Sequence, residues 1–372
     1  MSRHFVGIRL AAAAALAMSV FGIGTGHAQD EIDKTLVNAE AAGGMEQLAA
    51  KAKEEGALLI YGAPAADKMA EWFAGFEEKY GIPVQYYRAP TNQIYQRYSQ
   101  EQSVGRKMAD GVIFSVYEVV QDANSKGWIA EYTPQTADKF PEEAVIPGRA
   151  YPAYLTVQSI GWNTSLVPED LQKALTEDPL QALLDPRLKD KIAIVSVTAG
   201  GAQIAGSANL ALHQAEQYGW EYLEKLAGQN PVVINTSPAL LEAIIAGDYW
   251  ATFDGYDSIF APAIVEGAPL AFAPPKIAAA TEFYMSVAAN AAHPYASRLL
   301  MEWMTSEEAQ NSLANISQAA VTIEGWQDER EIAKQPWFRK AEQLWFGAAT
   351  DPQLQGENLK AFYERWQSIF GN

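Results

Sequence analysis

Short apolar runs alternate with stretches of helical period along most of this chain, and that alternation limits the fold more than any other feature. Residues 57–61 (ALLIY) form an apolar run of strand length. Met69, Trp72, Phe73, Phe76 and Tyr80 then recur at helical spacing, and Gly81 stops the run. Pro64, just ahead of them, suits a first-turn position. A strand is expected over 83–88, a helix marked by Ile94, Tyr95 and Tyr98, a strand over 111–114 and a helix over 117–123. A second unit repeats the theme, with strands over 192–197, 232–235 and 250–254 and helices over 201–218, 238–246 and 258–266. Strands alternating with helices of this length imply βαβ units and a mostly parallel sheet. Two extended stretches, 151–163 (YPAYLTVQSIGWN) and 281–287, lie between and after the units. They predict an α/β fold of two lobes joined by two crossing strands, with a cleft between them. Residues 46–53 read as a helix, and 328–372 as a helical, aromatic-rich end whose rings dock it on a core.

The start of the chain has the layout of an export signal. Arg3, His4 and Arg9 precede the apolar run 10–23, and Gly26 and Ala28 make a small-x-small cut site. The run is shorter than the roughly 20 apolar residues that span a bilayer. Cleavage near Ala28 and a periplasmic mature chain from Gln29 are therefore expected, and no cysteine follows the run to carry a lipid anchor. Without those 28 residues, 344 of the 372 remain. That exceeds the roughly 250–300 residues at which one core stops growing. Two domains are expected, one of 29–156 with 286–322 and the other of 161–280 with 323–372.

The mature chain carries 25 basic and 45 acidic residues, a net charge of −20. So acidic a surface opposes nucleic acid and anionic lipid, while leaving room for one local cationic pocket. The chain contains no Cys, which excludes thiol catalysis, Cys-ligated zinc and iron–sulfur clusters. Past the signal the histidines are His213 and His293, both read as surface residues rather than ligands. No metal and no cofactor is expected.

Five stretches resemble a known family: LLIYGAP at 58–64, FEEKYGIPV at 76–84, LLDPRLKDKIAI at 183–194, AIIAGDYWATFDGYDS at 243–258 and HPYASRLLMEWMTSEEAQ at 293–310. In order and spacing they look like the periplasmic solute-binding proteins of ABC importers with the type II fold, in the branch for ferric iron, thiamine and sugar phosphates. The resemblance covers nearly the whole mature chain. It implies a hinged, two-lobed monomer with no catalysis. It also implies a small-molecule solute and an ABC permease of the inner membrane as partners, with no nucleic acid.

Ligands in such folds sit outside the carboxyl ends of the strands, where helix starts offer unpaired N–H groups. Four loops hold that place. In 62–66, small residues around Ala63 expose the backbone. The resemblance puts a metal-ligating His and an acid at about this loop in iron binders, where this chain has Ala63, Pro64 and Ala65. In 88–93, Arg88 suits planar binding of carboxylate or phosphate, and Thr91 or Asn92 can cap the next helix. After the strand over 111–114, Ser115 or Tyr117 can donate to a ligand, and Ser115 reads equally well as a plain cap. In 196–203 (SVTAGGAQ), Thr198 followed by Gly200 and Gly201 makes the best anion cradle, without the Lys of a P-loop.

Asp254 and Tyr256 form the last element. The resemblance places two adjacent tyrosines in this region of iron binders, but Gly255 and Asp257 flank Tyr256 here, a poor set for ferric iron. Tyr284 and Thr281 join the candidates by position on the second crossing. Together these residues predict a small organic anion, carboxylate or phosphate-like, with Asp254 the one group opposed to it. Ferric-ion binding within the same family is the alternative. A secreted hydrolase or lyase is the alternative of another class. The mature chain lacks GxSxG, HExxH and any thiol, although an acid-pair glycosidase needs no fixed motif.

Overall fold

The computed structural model describes residues 32, 34–199, 201–347 and 351–371. The export signal read over 1–28 and the turn residue Gly200 lie outside them. The first half runs α1 (Met45–Glu55), β1 (Leu58–Gly62), α2 (Ala66–Tyr80), β2 (Val84–Arg88), α3 (Thr91–Ser103), β3 (Gly111–Phe114) and α4 (Tyr117–Ser125). The first crossing is β4 (Tyr151–Asn163), followed by α5 (Glu169–Glu177) and α6 (Pro179–Ala182). The second half continues with β5 (Ile192–Val195), α7 (Gly201–Ala208), α8 (Gly219–Ala227), β6 (Val232–Ile234) and α9 (Ser237–Ala246). Next come β7 (Ala251–Thr252), β8 (Gly255–Tyr256), α10 (Asp257–Val265) and β9 (Leu270–Ala273). The second crossing, β10 (Ile277–Val287), leads to α11 (Pro294–Met304), α12 (Glu307–Ser317), β11 (Gln343–Trp345) and α13 (Gly356–Phe370).

The strands follow the order β2-β1-β3-β10-β4-β7-β5-β6, with β11 on β10 and with β8 and β9 on β4. Pairs within each half, β1 with β2 and β3, and β5 with β6 and β7, are parallel. The crossings run antiparallel to each other from Ala280↔Val157 to Met285↔Tyr151, with a bulge between Phe283 and Tyr284. Each crossing serves both halves. β10 pairs with β3 over Tyr284–Val287 and with β11 over Ile277–Ala279. Beyond its pairing with β10, β4 meets β8 at Gln158 and Ser159, and β9 from Ile160 to Asn163. A two-lobed sheet continuous through two strands results.

Helices cover both faces of each half. In the first, Trp72, Phe73 and Phe76 of α2 pack with Leu299 and Trp303 of α11, while Tyr98, Phe114 and Val120 fill the other face. In the second, Trp162, Leu223, Phe253 and Trp366 form one cluster, and Leu240, Phe260 and Phe272 the other. The chain thus returns to the first core with α11 and α12 and ends on the second with α13. Helix α2 buries positions 69, 72, 73 and 76 as its spacing predicts. It stops at Gly81, whose φ of 71° frees its N–H to bond the Glu77 carbonyl.

Several local expectations shift. Pro64 precedes the cap residue Ala65 and lies outside the helix. Thr91 opens α3 without capping it, because its hydroxyl is engaged with Ser115. The helix expected over 201–218 ends at Ala208 and continues as a π-helical turn, Asn209–His213. Asn209 there spends its amide on Gln158 and the Ile277 carbonyl. The strand expected over 250–254 is two residues long, since the chain turns to lay Gly255 and Tyr256 on β4. The end of the chain also holds a strand, β11, and is an α-helix only from Gly356.

Candidate functional site

A cleft of about 520 Å³ opens where the two halves meet. That is within the roughly 300–1,000 Å³ of small-molecule sites. Asn92, Ser115, Tyr117 and Glu118 wall it from the first half, at the carboxyl end of β3 and the starts of α3 and α4. Thr198 and Ile204 wall it from the second, around the start of α7. The floor is β10, through Ala280, Thr281, Glu282 and Tyr284. Phe346, Leu359 and Tyr363 close the remaining side.

The wall is braced locally. The Thr91 and Ser115 hydroxyls lie 2.9 Å apart, and the Ser115 N–H donates to Thr91 Oγ1 at 3.2 Å. That bond ties the start of α3 to the end of β3. Tyr117 and Tyr284 meet edge to face, with ring centres 5.8 Å apart. Gln121 donates to the Tyr117 hydroxyl from the next turn of α4. Across the cleft, the Ser196 and Thr198 hydroxyls are 2.9 Å apart.

Glu282 is the electrostatic centre of the floor. It is 3% exposed, and its Oε1 has no hydrogen-bond partner. Burial pushes its carboxyl up to about 8, opposed by the Tyr284 hydroxyl beside it. Burial also raises the Glu118 carboxyl. Among the described residues lining the cleft, these two acids are the only charged side chains.

Of the residues singled out in the sequence, the cleft gathers Asn92, Ser115, Tyr117, Thr198, Thr281 and Tyr284. Gly201 opens α7, the helix that supplies Ile204, and Gly200 lies outside the described residues. Ala63 is half-buried and does not line the cleft, and its N–H bonds the Ile113 carbonyl. Arg88 is exposed and does not line the cleft, because β2 is the outermost strand of its half.

Asp254 and Tyr256 lie beneath the cleft wall rather than in it. Helix α7 covers Asp254 so closely that a Cβ on Gly206 would fall 2.0 Å from Asp254 Oδ1. Asp254 is 1% exposed and accepts from Ser207 Oγ at 2.9 Å, and Trp366 Nε1 donates to that same hydroxyl at 3.2 Å. Tyr256 is buried with its hydroxyl unpartnered.

Glu282 and the α13 residues Leu359 and Tyr363 line the cleft without having been singled out in the sequence. Alternation along β10 does put 280, 282 and 284 on one face. A glutamate among AATEFYMSV is the trace that was available. The histidines are engaged elsewhere. His213 stacks on Trp345 at 5.1 Å, and His293 Nδ1 lies 3.0 Å from Asp110 Oδ2. Among the described residues no group of three or more His, Asp or Glu could hold a metal ion.

Burial pushes the Asp254 carboxyl up to about 8. A raised acid keeps its proton in the folded chain after the unfolded chain has released it. Its stabilising contribution is complete below about pH 4 and is lost as pH rises through about 8. Asp254→Asn removes that titration while keeping an acceptor for Ser207. The variant's thermal midpoint should gain on the wild type as pH rises from about 5 to 8. A difference that is flat or shrinks over that range contradicts the assignment.

The family of bacterial extracellular solute-binding proteins matches residues 58–315. The chain belongs to that family. Solved structures share its two-lobed fold. The substrate-binding protein of an ABC transporter from Agrobacterium tumefaciens superposes with a TM-score of 0.65 at 17% identity, covering 85% of this chain and 96% of that one. Iron-bound HitA from Pseudomonas aeruginosa gives 0.62 at 18% identity, over 84% and 99%. The periplasmic binding protein AfuA from Actinobacillus pleuropneumoniae, with fructose-6-phosphate bound, gives 0.63 at 17%, over 85% and 98%. At these identities the likeness is one of fold. Comparison with curated proteins finds no sequence match.

Proposed function

We propose that this chain is the extracytoplasmic solute-binding component of an ABC importer. It captures a small polar organic molecule in the cleft and delivers it to an inner-membrane permease. One observation carries the reading: both halves of the chain wall a single cleft whose floor is a strand common to both. A site divided in that way closes when its halves rotate about the shared strands. Residues 29–156 with 286–322 act as one lobe and 161–280 with 323–372 as the other. The export signal is removed near Ala28, and the mature chain works as a periplasmic monomer without catalysis.

Family membership and the buried positions of Asp254 and Tyr256 both favour binding over chemistry. Small-angle scattering should show the radius of gyration falling as a bound solute reaches saturation, with the solute recovered unchanged. An unchanged radius, or turnover of the solute, contradicts the reading. A ferric cargo would announce itself as a phenolate-to-iron absorption band.

A further inference from the structure

The Glu282 carboxyl leaves a polar group unsatisfied on the cleft floor. It is buried on the cleft floor, one oxygen has no partner, and no Lys or Arg is among the described residues around the cleft. Three tyrosines line the same cleft: Tyr284 two residues along β10, Tyr117 edge to face with Tyr284, and Tyr363 from α13. Glu118 places a second carboxyl on the wall. A buried carboxyl in a cleft lined with tyrosines suits an ammonium group, through a charge-assisted hydrogen bond and cation–π attraction.

We propose that the solute is a protonated organic amine and that Glu282 is its counter-ion on the cleft floor. The inference rests on the reading of this cleft as the solute site. It differs from the organic anion that Arg88 suggested in the sequence, because the charges that face the cavity are acidic.

A linkage follows. Burial pushes the Glu282 carboxyl up to about 8, so the empty site holds a proton at neutral pH. An ammonium displaces it. Amine affinity should then rise with pH, by up to about tenfold per unit between roughly pH 6 and 8. The titratable groups that line the cleft with Glu282 are Tyr284 on its own strand, Tyr117 and Glu118 on α4, and Tyr363 on α13. Burial raises the Tyr284 and Tyr363 phenols above their ordinary range, so both stay neutral here. Glu118 shares part of any titration, which makes the variant at 282 the necessary control.

The test is calorimetric titration of the mature chain with a panel of probes. Mono- and diaminoalkanes, choline and arginine amide serve as cations, with citrate, fructose 6-phosphate and ferric citrate opposite them. Each is titrated in two buffers of different ionisation heat. Expected is an amine that binds with proton release, and a Glu282→Gln variant, matched to wild type in its melting curve, that binds it about 10- to 100-fold more weakly and with reduced proton release. Failure of every amine to bind, or amine binding that Glu282→Gln leaves unchanged, overturns the proposal. A carboxylate, phosphate or ferric complex that binds and compacts the chain in place of any amine overturns it too, while leaving the solute-binding reading intact. Probes of both kinds that neither bind nor compact the chain count against that reading as well.

Discussion

Trp366→Ala should cost about 3–5 kcal/mol in equilibrium unfolding, the usual toll for emptying a buried tryptophan site. Trp366 is 1% exposed in the larger core of the second half and packs on Phe370 with ring centres 4.8 Å apart. Its indole also donates to Ser207, whose hydroxyl is held by Asp254. Alanine therefore opens a cavity and takes one donor from a buried polar chain at the same time. Helix α13 presents Leu359 and Tyr363 to the cleft from the same helix, so its loosening should weaken solute binding in parallel. A loss below about 1 kcal/mol, the range of ordinary substitutions, would mean that α13 is not docked on this core.

Ser115→Trp should weaken solute binding by more than about a hundredfold, which is roughly 2.7 kcal/mol. Ser115 is half-buried at the wall formed by the end of β3, where an indole would project into the space between the halves. The substitution also removes the bond to Thr91, a loss of about 1 kcal/mol in stability, too small to unfold the chain. Binding and folding therefore separate in the result.

The parts of the fold legible in the sequence are those set by local period. The thirteen residues of β4 stand out because an unbroken extended run of that length fits neither a helix nor a short edge strand. Helix α2 is legible in its apolar spacing and its terminal glycine. Less legible are elements that exist through distant partners. β11 is a strand because it lies on Ile277–Ala279, and nothing within 343–345 signals it. The π-helical turn after α7 answers to the demands of Gln158 and Ile277 on Asn209.

The site divides in the same way. Ser115, Tyr117 and Thr198 were accessible because helix starts after parallel strands face the cleft in any sheet of this kind. Asp254 reads as a cleft residue only until α7 is laid over it, and Gly206 is the residue that permits that approach. The part played by Arg88 depends on strand order, which puts β2 at the edge. Glu282 comes to the cleft only once β10 is seen as the floor between two walls. The aromatics of the chain end also divide by face: Phe362 and Trp366 are buried in the core, whereas Tyr363 lines the cleft.

In the proposed function one solute is held between the halves, against Ser115, Thr198 and β10. Native mass spectrometry of the wild type and of Ser115→Trp, both purified without denaturation from the periplasm of the natural host, tests it most directly. A small-molecule adduct should appear on the wild type and be absent from the variant, with both chains equally folded. The same adduct on both chains would place the ligand elsewhere and contradict it.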